Sequence, residues 1–297
     1  MDPETLDDFI KNYYGDAPDG LEDLSALTGL TFAVAVPADA TATFKRYVMA
    51  AAQTQWLRNR SVDHVLKQYS GSWEFSDGEP ELASLLSRIC REVKTKTRRP
   101  LQRLHHFHKP AHAGLMASWA ALFRLQATIR VCVFTIRQGF HFESACMLRL
   151  VVEQLAWVAS IYDKSDLDAI FRIEPSKSLG TLRRLFDRAG FVYGYLSDKA
   201  HISPERTKDY VTSDEQGALT AMMNDREQSR LDALIFLVLA DWYIVTCELV
   251  AANHREPDNE VLTRVKDAWR PNPERPFLTT ISLFKARLFP KGDSTVE

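Results

Sequence analysis

Three long segments of this chain carry apolar residues on nearly every side of a helix, and they restrict the fold more than any other feature. They lie at residues 113–138, about 142–160 and about 228–253. A helix that is apolar all round has to be covered, either by other helices or by lipid. No stretch reaches the roughly eighteen uncharged apolar residues of a membrane span. We therefore expect these helices to form the core of a bundle, with no membrane as a partner.

The connection between the first two segments predicts how they pack. Gly139 ends the first segment, and the second begins at Phe142 or Glu143. A single glycine between two apolar helices predicts an antiparallel helical hairpin. With only 12 Gly and 13 Pro in 297 residues, the composition argues against a turn-rich β fold. The predicted fold class is therefore all-α.

Changes in composition divide the chain into four regions. They are an acidic N-terminal arm (1–38), an N-terminal helical region with a basic segment (39–110), the helical bundle (111–255) and a small C-terminal appendage (256–297). We expect a strand or an extended tether at Thr31–Val36, and a helix over about 39–69 that is bent near Asn59. We also expect Pro100 to end a helix and a small helix to end at Trp269.

The charge balance and the cysteines indicate the class of protein. The chain has 37 Lys and Arg against 39 Asp and Glu, a formal net charge of −2, so any attraction to a polyanion must be local. The four cysteines lie in apolar or amphipathic runs without a CxxC pair: Cys90, Cys132, Cys146 and Cys247. We interpret them as buried thiols of a cytoplasmic protein, and we predict neither a metal nor a cofactor.

Polar residues within the apolar helices are candidates for a polar network. Arg149 and Glu153 lie one turn apart and share a helix face. Ser197 precedes His201 by four residues, so their side chains face the same way. The structural interpretation is a set of internal hydrogen bonds and ion pairs, and the functional one is contact with a ligand. His201 is in addition able to transfer a proton at neutral pH.

A second set of charges repeats along two of the apolar helices. Asp241 and Glu248 lie seven residues apart on the third helix, and Arg130 and Arg137 repeat that spacing on the first. Because buried charges need partners, we expect the two acids to meet the two bases across the bundle. Asp241 is therefore included in the predicted polar network.

Two groups of residues in the bundle form a pattern: Gly139, Ala145, Leu148, Arg149 and Glu153, followed by Tyr193, Leu196, Ser197 and His201. This pattern resembles the HEPN-like helical families found among bacterial defence and mobile-element proteins. The resemblance covers about residues 113–252 and implies a HEPN-like bundle that pairs with a second copy. In the ribonucleases of this superfamily, an Arg and a His with four to six residues between them form the catalytic motif at a dimer interface.

The spacing of that motif yields two candidate catalytic pairs. Arg58 and His64 have five residues between them, with a polar residue directly after the Arg, and Arg103 and His108 have four. The pair inside the matched region, Arg137 and His141, has only three. The histidines at 105, 106, 108 and 112 lack a nearby carboxylate or cysteine, which favours surface histidines over a metal site.

The strongest local charge lies at residues 88–109, with eight basic residues and Glu92 as the only acid. The candidate binding residues in this segment are Arg98, Arg99, Arg103 and Lys109. They could contact the phosphates of RNA or DNA. The alternatives are contact with an acidic protein surface, such as residues 1–25, which hold eight acids and one lysine, and a plain solvated face.

These observations predict a cytoplasmic helical protein that acts by interaction or in association with nucleic acid. We expect it to form a homo-oligomer, because three apolar helices are difficult to cover in one bundle. The resemblance adds a role in bacterial defence against mobile elements. The alternative function is a metal-independent ribonuclease that uses Arg and His, with His201 as a further catalytic candidate.

Overall fold

The computed structural model describes residues 24–28, 33–37, 40–56, 58, 61–73, 80–105, 112–201, 211–213, 219–221, 226–252 and 256–289. The chain is mostly helical, which confirms the predicted all-α class, and its few strands form two-stranded hairpins. It divides into two compact units, Met1–Ser87 and Arg88–Glu297.

The first unit combines one hairpin with two helices. Strands β1 (Leu24–Thr28) and β2 (Ala33–Pro37) pair antiparallel, with Ala26 opposite Ala35. The segment predicted as a strand or an extended tether thus contributes to strand β2. Its partner β1 was not predicted, because the sequence LSALT does not alternate strictly between apolar and polar residues. A small core joins the hairpin to the following helix. Leu27, Val36 and Met49 are buried in this core, and Ala40, Val48 and Trp73 pack against them.

Two helices replace the single bent helix that the sequence predicted. Helix α1 spans Ala42–Trp56 and α2 spans Val62–Tyr69. Arg58 lies between them at a positive φ of 50°, and the Ser61 hydroxyl caps α2 by accepting the His64 N–H at 3.2 Å. A capped start is a new helix rather than a bend.

Helix α3 (Pro80–His105) continues through Pro100, so the predicted stop at this residue is wrong. A proline inside a helix costs about 3 kcal/mol, because it removes one backbone hydrogen bond and crowds the preceding turn. The buried side of the helix nevertheless continues past it, with Val93, Thr97, Leu101 and Leu104 all buried. Burial of the last turn offsets that cost.

The predicted helical hairpin is confirmed. Helix α4 (Ala113–Gln138) is followed by α5 (His141–Ile161), and the two pack against each other. Gly139 sits between them in the left-handed conformation, at φ 76°, where its N–H and that of Phe140 bond the last carbonyls of α4. Only glycine adopts this conformation without a steric penalty, so the glycine sets the reversal.

Short helices follow α5, and the first of them packs against α4. They are α6 (Leu167–Phe171), a 3₁₀ turn (Pro175–Ser178), α7 (Leu179–Arg183) and α8 (Ala189–Ala200). Asp166 caps α6 by accepting the Asp168 N–H at 3.0 Å. The 3₁₀ turn, α7 and α8 all pack against α5.

Helix α9 (Arg226–Ala251) is the central helix of the second unit and contacts α4, α5 and α10. Before it lie two three-residue strands, β3 (Val211–Ser213) and β4 (Leu219–Ala221), which pair antiparallel. The Tyr243 hydroxyl is buried and donates to the Leu122 carbonyl of α4 at 2.8 Å. This buried hydroxyl therefore has a hydrogen-bond partner, as most buried polar groups do.

Three described helices are long and apolar enough to cross a membrane: 113–138, 141–161 and 228–251. The bundle buries 83% of the most apolar window of the third, 56% of the second and 39% of the first. Packing within the bundle thus covers most of the apolar window of α9 but only part of the apolar window of α4. Of the three helices, α9 is the most completely covered.

A hairpin and a last helix complete the second unit. Strands β5 (Leu262–Val265) and β6 (Ala268–Pro271) pair antiparallel, so the small helix predicted to end at Trp269 is wrong. Strand β5 contains the β-branched residues Thr263 and Val265, which are more favourable in strands than in helices. Helix α10 (Pro276–Leu288) starts with a proline, as first helical turns tolerate, and packs on α9.

The start of α4 touches the end of α5 closely enough to exclude a side chain at Gly114. Its N–H donates to the Lys164 carbonyl at 2.8 Å, and a Cβ there would overlap the carbonyl oxygens of Ile161 and Lys164. We predict that Gly114→Ala lowers the free energy of unfolding by about 1–3 kcal/mol, because backbone atoms would have to move. Urea unfolding followed by circular dichroism measures this change.

Gly180 provides the matched control, since a Cβ on this helical glycine meets nothing within 4 Å. Gly180→Ala should leave stability unchanged or raise it by up to about 1 kcal/mol through helix propensity. Equal destabilisation by both variants would contradict the close contact at Gly114.

Candidate functional site

Four side chains from α5 and α8 form a polar cluster, here called the Arg149 cluster: Arg149, Glu153, Tyr193 and His201. Arg149 Nε donates to Glu153 Oε1 at 3.0 Å, and the Tyr193 hydroxyl donates to the same oxygen at 3.0 Å. The Arg149 guanidinium lies over the Tyr193 ring, 5.4 Å from its centroid. Arg149 Nη1 is 3.3 Å from His201 Nε2.

The contact between Arg149 and His201 has a defined direction as a hydrogen bond. Arg149 can only donate, so Nε2 of His201 is the acceptor in this contact. Partial burial lowers the pKa of Arg149. The hydrogen bond and charge of Glu153, together with Tyr193, raise this pKa by more than burial lowers it, so the net shift is upward. The cluster thus holds the Arg149 cation beside an exposed imidazole.

The cluster lies at the edge of the protein. The side chains of Arg149 and Glu153 are 26% and 21% exposed, and His201 is exposed at the end of α8. The predicted network at Arg149, Glu153 and His201 therefore comes together, although it is only half-buried. A ligand can reach His201 and the adjoining side of Arg149 from solvent.

Ser197 and Cys146 each lie one helical turn from a member of the Arg149 cluster. The Ser197 hydroxyl oxygen is buried and has no hydrogen-bond partner within the described residues. Cys146, one turn before Arg149, is exposed, so the prediction that all four cysteines are buried is wrong at this position. Burial is still sufficient to raise the pKa of its thiol, with Glu143 adding to the effect and Arg149 opposing it.

Asp241 lies in a different polar contact from the one predicted. Its carboxylate binds the guanidinium of Arg275 through two hydrogen bonds, of 2.7 Å to Nε and 2.5 Å to Nη2. The bases Arg130 and Arg137 were expected in this role, but Arg275 reaches Asp241 from the segment before α10. The Asp241 and Arg275 side chains are 3% and 12% exposed, which makes this a buried ion pair.

A second buried polar pair was not predicted. His141 Nδ1 lies 2.8 Å from Asp232 Oδ2, and the two side chains are 4% and 0% exposed. Close by, Ser144 donates to the Thr135 hydroxyl at 3.1 Å, and Thr135 donates to the Cys132 carbonyl at 3.1 Å. These contacts join the start of α5 to α4 and α9 within the core, so we assign them to structure.

Helix α3 carries its cations on one exposed side, here called the basic face: Arg88, Arg91, Lys94, Arg98 and Arg99. The opposite side is buried. Glu92 and Lys96 are half-buried at the border between the two sides. An amphipathic helix therefore separates five exposed positive charges from its apolar contacts.

The remaining candidate residues are spread over the chain. Arg58 and His64 are both exposed in the first unit, and within the described residues no hydrogen bond or ion pair joins their side chains. Arg103 lies on the last turn of α3. His108 and Lys109 lie outside the described residues. His112 begins α4, where its Nδ1 is 2.9 Å from the Lys164 carbonyl oxygen.

The sequence indicated several residues of the polar contacts but not the side chains that they contact. Tyr193 lies eight residues before His201, so the helical period could have placed it on the same face. His141 and Asp232 are 91 residues apart, and Asp241 and Arg275 are 34 apart. Such pairs depend on packing between distant helices, which no local pattern reports.

Comparison with protein-family models, with curated proteins and with solved structures finds no match to this chain. The site is therefore interpreted from its own geometry.

The buried pair at Asp241 predicts a stability that depends on pH. Burial raises the pKa of Asp241 above its usual value, although the hydrogen bonds and charge of Arg275 lower it in part. A carboxyl whose pKa is raised on folding contributes most below its unfolded pKa and loses that contribution as the pH rises through the folded value. Removing Arg275 raises the folded pKa further and enlarges this loss.

We therefore predict that Arg275→Ala destabilises the protein by about 3–5 kcal/mol at pH 7.5, the usual result of leaving a buried charge alone. The deficit should shrink at pH 5, where Asp241 is more readily protonated. Urea unfolding at both pH values measures the deficit. Arg287→Ala, at an exposed position of α10, is the control and should change stability by no more than about 0.5 kcal/mol. A deficit that is the same at both pH values would contradict the ion-pair explanation.

Proposed function

We propose that this protein binds nucleic acid through the basic face of α3. The observation that carries the proposal is the exposure of five cations on one side of a helix whose other side is buried. Because the helix is anchored through its buried side, the cations keep a fixed spacing. From Arg88 to Arg98 they extend over about 15 Å, at 1.5 Å per residue.

This arrangement suits a phosphate backbone better than a single anion. Guanidinium groups bind phosphate oxygens through paired N–H donors, and contacts of this kind position a protein without reading the bases. The proposal is therefore binding with little sequence preference. Its competitor is an acidic protein surface, and the acidic residues 1–23 of this chain lie outside the described residues.

Removing charge from the basic face tests the proposal. The variant Arg91→Gln, Arg98→Gln, Arg99→Gln should weaken binding to unrelated RNA and DNA sequences at least tenfold. The slope of log affinity against log salt should decrease by about two, since each phosphate contact contributes about 0.7 to 0.9. Gel-shift or fluorescence-anisotropy titrations at two salt concentrations provide both values.

A control variant removes three exposed charges elsewhere: Lys266→Gln, Lys285→Gln, Arg287→Gln. It has the same net charge as the test variant and should bind within about twofold of the wild-type protein. If the two variants lose affinity equally, net charge rather than the basic face governs binding. If the wild-type protein does not bind nucleic acid, the acidic-surface alternative replaces the proposal.

A second candidate function is metal-independent cleavage of RNA at the Arg149 cluster. The 3.3 Å contact between Arg149 and His201 supports it. In such a reaction the ribose 2′-hydroxyl would replace Arg149 at His201 Nε2 and pass its proton to this nitrogen. The 2′-oxygen attacks the adjacent phosphorus and releases the 5′-oxygen. Arg149 would stabilise the charge that develops on the phosphate oxygens. The 5′-oxygen leaves with a proton taken from solvent water.

The resemblance to HEPN-like families implies a ribonuclease that uses Arg and His, and would add a cytoplasmic role in defence and a dimeric state, but Arg149 and His201 do not have the spacing of the family's motif. The structure differs from the sequence expectation in the identity of the pair, since Arg149 and His201 come from separate helices. Two spacing-matched candidates, at Arg58 and at Arg103, compete with it. The experiment must therefore distinguish among these histidines.

We predict that the protein cleaves a mixed-sequence RNA in the presence of EDTA and that His201→Ala reduces the rate at least a hundredfold. His64→Ala and His108→Ala should cleave at the wild-type rate. A substrate with deoxyribose throughout should remain intact, because it lacks the attacking hydroxyl. Cleavage lost in His64→Ala or His108→Ala instead would reject the Arg149 cluster as the catalytic site, and thermal melts of each variant verify folding.

A further inference from the structure

A cleft of about 420 Å³ opens beside the C-terminal end of α5. The last turn of α5, the segment after it, the 3₁₀ turn and α7 form its walls. The volume lies within the range of about 300 to 1,000 Å³ that is typical of small-molecule sites. The cleft is separate from the Arg149 cluster, because Ser160 in its wall lies seven residues beyond Glu153 on α5.

Six charged side chains line the cleft: Asp163, Lys164, Arg172, Glu174, Lys177 and Arg184. Lys177 and Glu174 form an ion pair of 2.8 Å, so their charges cancel. The remaining three cations face a single carboxylate, that of Asp163. The lining therefore keeps an excess of about two positive charges.

Contacts within the walls hold the cleft in shape before any ligand arrives. Trp157 Nε1 donates to the Ile173 carbonyl at 2.9 Å, which ties α5 to the opposite wall. The buried Ser178 hydroxyl donates to the Glu174 carbonyl at 2.8 Å and fixes the 3₁₀ turn. Arg184 Nη2 donates to the Thr181 hydroxyl at 3.2 Å, which orients one guanidinium. A site built in this way loses little conformational entropy on binding.

We propose that this cleft binds a small molecule that carries a phosphomonoester. A phosphomonoester has a charge close to −2 at neutral pH and oxygen acceptors that match the guanidinium fork. Its charge balances the excess in the lining. The apolar side chains of Ala159 and Ile173, also in the walls, leave room for an uncharged remainder of the ligand. This site is independent of the nucleic-acid surface on α3.

Calorimetric titration of the full-length protein tests the site with pairs of probes that differ in the phosphoryl group. Adenosine 5′-monophosphate or glucose 6-phosphate should bind saturably at one site per chain, whereas adenosine and glucose should not bind. Cyclic adenosine monophosphate, a diester with a single charge, should bind at least tenfold more weakly than the 5′-monophosphate. Inorganic phosphate should also bind more weakly than the better monoester, because it lacks the organic part.

Adjacent arginines supply the matched variants. Arg184 lines the cleft and Arg183 does not, although both are exposed. Arg184→Gln and Arg172→Gln should each weaken binding of the monoester at least tenfold, and Arg183→Gln should change it less than twofold. Circular dichroism verifies that the variants are folded.

Four results would overturn the proposal. They are the absence of saturable binding by both monoesters, equal binding with and without the phosphoryl group, equal affinity for inorganic phosphate and for the better monoester, and equal loss of affinity in Arg183→Gln and Arg184→Gln. None of them bears on the basic face, whose variants are tested with nucleic acid.

Discussion

Burial of α9 is the constraint on which the rest of the second unit depends. From Leu239 to Ala251 every residue of this helix is buried, so other elements must cover it on all sides. The α4–α5 hairpin, α10 and the β5–β6 hairpin supply that cover. Apolar burial contributes about 25 cal/mol for each Å² removed from water, so this helix is a large source of stability. The positions of its neighbours follow from the need to cover it.

The same burial makes an unpaired charge on the core helices costly, and the buried charged side chains described above have partners. Asp241 takes the guanidinium of Arg275, and Tyr243 donates to a carbonyl of α4. Asp232 lies against His141 at the point where α4, α5 and α9 meet. An unpaired charge in such a place costs several kcal/mol, so these contacts favour one packing arrangement of the helices over others. They explain polar residues in the core without assigning them a function.

Function is more readily sought where polar groups reach solvent. The basic face, the Arg149 cluster and the cleft beside α5 all combine a rigid helical support with side chains that a ligand can reach. Arg149 and Glu153 hold each other on α5, and Tyr193 and His201 join them from α8. Each of the three sites contains at least one arginine side chain. Phosphate-bearing ligands are therefore the common chemistry proposed for them.

The sequence by itself determined the helical class, the hairpin at Gly139 and the segregation of charge on α3, because these features depend on local periodicity and on single residues with special backbone preferences. It also brought Arg149 and Glu153 together, since one helical turn separates them. It misjudged Pro100 and the segment before Trp269, where burial and strand pairing outweighed local signals. Only the tertiary structure decided that Arg275 meets Asp241 and that His201 meets Arg149, because contacts between distant segments depend on how whole helices pack.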